Sequence, residues 1–299
     1  MTQRIAGTGA WFGLGLWLIA PSARPESSLP CAEGVDLRVS TRDPTQGGVV
    51  LAEVASARPI TEVRARWEDH ELVFWEASAH SHRGLIGVDL ESPTTSHPFA
   101  IEARLNTGER IGCSAQISVR DGRFLIERLS VAHKFVNLSA KDLARAREES
   151  EHLREIFSSF TPERLWKEAF RWPVQGIEPS GNFGKRRVLN GEARSPHSGV
   201  DLPAPKGTLV RAPARGRVRL AGNLFFSGNT VVLDHGLGLF TFYGHLDSVA
   251  VEPGQLVEPG DPLGTVGATG RVTGPHLHWA ARLNEARVNP RELVELASW

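Results

Sequence analysis

Residues 276–283 read His-Leu-His-Trp-Ala-Ala-Arg-Leu, and their alternation decides how the last third of this 299-residue chain folds. In an extended strand, positions i and i+2 share a face. Leu277, Trp279, Ala281 and Leu283 then point into a core, and His276, His278, Ala280 and Arg282 point away from it. Two imidazoles therefore project from one sheet surface. Upstream, Leu239, Thr241, Tyr243 and His245 alternate with Phe240, Phe242 and Gly244. That pattern predicts that His245 shares its surface with Tyr243, the only tyrosine in the chain. Further back, His197 and Asp201 stand four residues apart in Pro-His-Ser-Gly-Val-Asp, residues 196–201. Pro196, Gly199 and Pro203 argue against a helix. An extended stretch puts both side chains on one face, with Gly199 leaving space between them.

Three predicted strands thus deliver four imidazoles, one carboxylate and one phenol within about 80 residues. A few neutral imidazoles, one carboxylate and spare bases are what a water-activating zinc site requires. The expected chemistry is zinc-dependent hydrolysis.

The earlier part of the chain has a different pattern. Residues 31–132 alternate with period two in several short runs, among them Val63-Ala65-Trp67 and Phe99-Ile101-Ala103-Leu105. Other strand-like runs are Val49 to Val54, Leu72 to Trp75, Leu85 to Val88 and Phe124 to Leu129, separated by turn signals such as Gly47-Gly48 and Asp121-Gly122. This predicts a small β-sandwich of immunoglobulin-like type. His70, His80, His82 and His97 have no ligand spacing and are expected on its surface. Residues 133–172 form a helical linker. Ser139 can cap a helix over 139–159, with Asp142 in the capping-box position and Leu143, Ala146, Leu153, Ile156 and Phe157 near one face. Thr161-Pro162-Glu163 signals a second short helix carrying Leu165, Trp166 and Phe170. His133 and His152 are expected to be surface residues. From residue 173 to 299 the pattern is β again, and most of the 30 glycines follow residue 180.

The first 23 residues resemble a secretory signal peptide, with Arg4, an apolar run from Ala10 to Ala20 and small residues around 22–23. The run is too short for a permanent span, so no stable membrane span is expected once the signal is cleaved. An uncleaved anchor is the alternative. Export makes Cys31 and Cys113, the only cysteines, candidates for a disulfide, with two buried thiols as the alternative. Lysine plus arginine equals aspartate plus glutamate at 34 each, so no basic field points to nucleic acid.

One resemblance ties the C-terminal pattern together. Asn182-Phe183-Gly184, Arg186-Arg187, Asn190-Gly191, Pro196 through Asp201, Ala212-Pro213, Asp234-His235-Gly236, Tyr243-Gly244-His245-Leu246 and Thr273 through Trp279 resemble the lysostaphin-like (LytM-domain) zinc endopeptidases. The likeness covers roughly residues 175–290 and implies an antiparallel β fold with a groove over one Zn²⁺ per chain. Carried over by position, it implies zinc ligands at His197, Asp201 and His278 and catalytic histidines at His245 and His276. The implied substrates are the peptide stems and cross-bridges of bacterial peptidoglycan, reached in the periplasm, the cell envelope or outside the cell. Tyr243, Asn190 and Arg187 are candidates to line the groove, and packing, turn and surface roles are open to them as well. His235 reads as a hairpin turn residue. Metal-free relatives that bind and activate other cell-wall hydrolases are the alternative reading. A peptidase acting on glycine-rich proteins is a third.

Overall fold

The computed structural model describes residues 27–31, 34–129, 138–189, 191–193 and 195–296. The expected signal segment, His133 and Asn190 lie outside the described residues. Among those described, no helix is long and apolar enough to cross a membrane.

The chain is mostly β. In the N-terminal part, a five-stranded sheet (Ser27–Pro30, Val35–Val39, Val49–Ser56, Ser81–Gly87 and Trp75–Ser78, in that spatial order) packs on a four-stranded one (His70–Val73, Ile60–Trp67, Ser96–Leu105 and Arg110–Ser118). All pairings in both sheets are antiparallel. Leu37, Val54 and Ile86 from the first sheet meet Trp67, Phe99 and Ile117 from the second in one core. Cys31 and Cys113 are disulfide-bonded, with Cα atoms 5.2 Å apart, and the bond ties the two sheets together. The run Leu72 to Trp75 is not one strand. It breaks at buried Phe74, and its halves enter different sheets. His82 is 7% exposed, against the expectation of a surface position.

The five-stranded sheet is covered on both faces. Val50, Ala52 and Val54 face the sandwich core, whereas Val49, Leu85 and the half-buried Leu51 pack against Trp166, Phe170, Leu237, Leu239 and Leu283. A strand with two buried faces reads as a continuous apolar run, which explains Val49-Val50-Leu51-Ala52. Arg287 pins this junction. Its Nε and Nη2 reach the two Asp89 carboxylate oxygens at 3.0 and 2.5 Å, and Nη2 also meets Glu91 at 2.7 Å.

Burial opposes the Asp89 charge, but the Arg287 hydrogen bonds outweigh it and hold the carboxyl below its usual 3.8. A carboxylate with a depressed folded-state pKa stabilises the fold above its ordinary value and loses that contribution as pH falls through the lower one. We expect Arg287→Met to cost about 2 kcal/mol in urea unfolding at pH 7, because it strands a half-buried carboxylate. The difference from wild type should shrink once the pH drops below 4.

The helix Ala140–Ser158 forms as expected, with the Ser139 hydroxyl accepting from the Asp142 N–H. The second helix does not form. Thr161 to Phe170 runs irregularly because its polar groups find partners outside the segment. The Leu165 N–H donates to the His235 carbonyl, the Thr161 carbonyl accepts from the Leu237 N–H, and the Thr161 hydroxyl donates to Asp234. Trp166 is buried against Trp75 and Phe170. Gly236 is required at this contact: its φ is +86°, and a Cβ there would overlap the Glu163 carbonyl oxygen.

The C-terminal part is a nine-stranded sheet. Its main path runs Gly199–Leu202, Leu277–Leu283, Leu239–Val249, Gly228–Gly236, Gly216–Leu224 and Leu256–Val257, all antiparallel. Ile126–Leu129, expected in the sandwich, instead pairs in parallel with Arg186–Leu189. A short helix, Pro290–Glu295, closes the described chain, with Asn289 as its cap and Pro290 at its first turn.

Candidate metal centre

The register of the central strands assembles the site. Asp201 stands directly opposite His278, which in turn stands opposite Gly244. Leu277 and Trp279 are fully buried in the core, so His278 points to the other face of the strand, and His276 precedes the strand in a bridge to Gly267. Gly199 provides room, since a Cβ there would lie 2.8 Å from the His278 ring.

His245 arrives by a different route from the one its alternation suggests. Asn229 pairs with Leu246 and Val231 with Tyr243, so the 239–249 strand carries one extra residue at this point. Such a bulge resets the period of two. His245 takes the extra position with φ +64°, and Tyr243 and Leu246 both turn into the core. Tyr243 is therefore not a groove residue: it is completely buried. It ends a directional polar chain. The Arg215 carbonyl can only accept, so His235 Nδ1 donates to it at 2.8 Å. His235 Nε2 then accepts from the Thr241 hydroxyl at 2.7 Å, and Thr241 accepts from the Tyr243 hydroxyl at 2.8 Å. Burial pushes the His235 pKa down to about 4 and the Tyr243 phenol upward. His235 is thus a buried strand residue and not a surface turn. Tyr243→Phe should cost about 1 kcal/mol of unfolding free energy and leave catalytic turnover within about twofold. A large loss of turnover with intact stability would return Tyr243 to the groove.

Three donor atoms converge. His197 Nε2 and His278 Nδ1 are 3.0 Å apart, and they lie 3.2 and 3.0 Å from Asp201 Oδ1. His197 is 5% exposed, and Asp201 and His278 are half-buried. The Asn182 carbonyl accepts from His197 Nδ1 at 3.0 Å, which fixes the tautomer and leaves Nε2 with its lone pair. Two imidazoles and a carboxylate aimed at one point can hold a metal ion. The spacing suits a single ion bonded to each donor at about 2.0–2.1 Å.

A second pair of rings flanks this trio. His245 and His276 are 4.9 Å apart between centroids, and His276 Nε2 lies 3.7 Å from Asp201 Oδ1. Their Nδ1 atoms donate to the carbonyls of Thr269 and Gly274, both at 2.9 Å, which leaves both Nε2 atoms as acceptors. Of the groove candidates, Arg187 lies in the Arg186–Leu189 strand, and Asn190 is outside the described residues. Sequence reasoning missed Asn182 as part of the site, although its motif was one of those carrying the resemblance.

Residues 195–290 match the family model described as Peptidase family M23. A crystal structure of a putative M23 peptidase from Pseudomonas aeruginosa is 32% identical and aligns over 84% of this chain and 95% of that one, with a TM-score of 0.65. The chain belongs to peptidase family M23. Among its relatives is the peptidoglycan DD-endopeptidase ShyC of Vibrio cholerae, 40% identical over 44% of this chain. Another is the DD-carboxypeptidase/endopeptidase Mpg of Neisseria meningitidis, 46% identical over 31% of this chain. The matched stretches span 31% and 22% of those two proteins. The matched stretch contains all five site residues, His197, Asp201, His245, His276 and His278.

Proposed function

We propose that this chain is a zinc-dependent endopeptidase that hydrolyses peptide bonds in peptidoglycan stems or cross-bridges. One observation carries the reading: His197, Asp201 and His278 bring three donor atoms within 3.2 Å of one another, beside two further imidazoles. The endopeptidase activities of the relatives ShyC, a peptidoglycan DD-endopeptidase, and Mpg support the substrate class. The three ligands are proposed to hold one Zn²⁺. When bound, zinc polarises the scissile carbonyl and lowers the pKa of its water to about 7.

The remaining chemistry falls to His245 and His276. Burial, helped by the neighbouring His278 and His276, pushes the His245 pKa down to about 4, so the ring is a neutral base at pH 7. Its Nε2 is ready to accept a proton, as is that of His276. Between them, the two rings take a proton from the attacking water as its oxygen bonds to the carbonyl carbon. They return one to the nitrogen as the carbon–nitrogen bond breaks. Arg187 and Asn190 are proposed to line the approach to His197, whose N–H is held by the Lys185 carbonyl.

On this reading residues 173–299 carry the chemistry, and the 31–132 sandwich buttresses them through the Arg287 junction. Acting on peptidoglycan requires export, in keeping with the apolar run of residues 10–20. The complete ligand trio disfavours the alternative of a metal-free regulator. Mass spectrometry of muropeptides released from purified sacculi tests the proposal. New peptide termini that appear only with the metal-loaded protein support it, and intact cross-links after prolonged incubation overturn it.

A further inference from the structure

We infer that Asn182 is the positioning residue that sets the metal-binding trio. This inference rests on the zinc-hydrolase reading. Asn182 is 8% exposed and touches both ligands contributed by the 197–201 segment. Its Nδ2 donates to Asp201 Oδ2 at 2.6 Å, its Oδ1 accepts from the Asp201 backbone N–H at 3.1 Å, and its carbonyl accepts from His197 Nδ1. The geometry divides the carboxylate into two roles. Oδ2 is occupied by the amide, so Oδ1 is the oxygen turned to His197 and His278. Without that amide, the Asp201 side chain has a rotational alternative in which neither oxygen is committed to the site.

The loop carrying Asn182 is built for this task. The Ser180 N–H and hydroxyl both donate to the Asp201 carbonyl, at 2.9 and 2.8 Å. The Gly184 N–H donates to the His197 carbonyl at 2.8 Å, and the His197 N–H donates to Lys185 at 2.9 Å. Residues 180–185 therefore clasp the ligand segment by its backbone at both ends and place one amide against the carboxylate. Contacts that orient metal ligands are typically worth about 10–100-fold in metal affinity.

The test measures zinc affinity directly, by competition with a chromophoric chelator, on the wild type, Asn182→Ala and Asn182→Leu. Leucine nearly fills the volume of asparagine, so it keeps the loop packed while removing both polar atoms. Thermal unfolding of the metal-free proteins reports on the fold separately. If the alanine variant unfolds, the leucine variant carries the measurement. The expected result is zinc binding weakened about 10- to 100-fold in a protein that still folds, with a lower kcat at saturating zinc and little change in KM. Zinc binding within about threefold of wild type in a folded variant overturns the inference and leaves the hydrolase reading standing. A wild type that binds no zinc overturns the hydrolase reading itself.

Discussion

His278→Ala should eliminate stoichiometric zinc binding and lower peptide hydrolysis by on the order of 10³-fold or more. The metal's Lewis-acid contribution is worth several kcal/mol, and each 1.36 kcal/mol is a factor of ten in rate. His278 is one of the three proposed ligands and touches both of the others. It stands opposite Asp201 in register, with its Nδ1 3.0 Å from both Asp201 Oδ1 and His197 Nε2. His245→Ala is the contrasting variant. His245 is anchored to Thr269 and Ser227, and its removal leaves the three donors in place. It should retain one zinc per chain and lose about 10²–10⁴-fold in activity, the range of a general base or acid. Metal analysis and hydrolysis rates on the two variants separate the roles. Loss of zinc from His245→Ala would overturn the assignment.

Reduction of the Cys31–Cys113 bond should have the largest effect on stability. The bond closes a loop with a sequence separation of 82 residues. Chain entropy then assigns it about 4–5 kcal/mol. Urea unfolding with and without reductant, or of a Cys31→Ala/Cys113→Ala variant, should show a shift of that size. A shift below about 1 kcal/mol would mean that the packing of Trp67, Phe99 and Ile117 against Leu37 and Val54 holds the sheets together without the cross-link.

How much of this was legible in the sequence depended on how local the cause was. The period of two placed His278 on the outer face, because nothing interrupts the strand Leu277–Leu283, and His276 stands immediately before it. The same rule failed at Tyr243, where one extra residue at Gly244-His245 reverses the faces. A bulge of this kind depends on pairing with Asn229 and Val231, which lie on another strand. Ser139 marked its helix because capping is local. Thr161-Pro162-Glu163 carried a similar start signal, but the segment's backbone bonds go to His235 and Leu237, on a distant strand and its turn. His235 looked like a turn residue because Gly236 follows it, and its burial comes from Phe170 and Thr241. The proposed ligand residues stand in a motif that the sequence displays. The contact that orients them, Asn182 against Asp201, spans 19 residues with no periodicity to announce it.

The most direct measurement is a zinc titration of the metal-free protein acting on purified sacculi. Soluble peptide release should rise in proportion to added zinc, reach its plateau at one equivalent per chain, and vanish when chelator removes the ion. Release at the full rate from the metal-free protein would contradict the account, as would a plateau unrelated to occupancy of His197, Asp201 and His278.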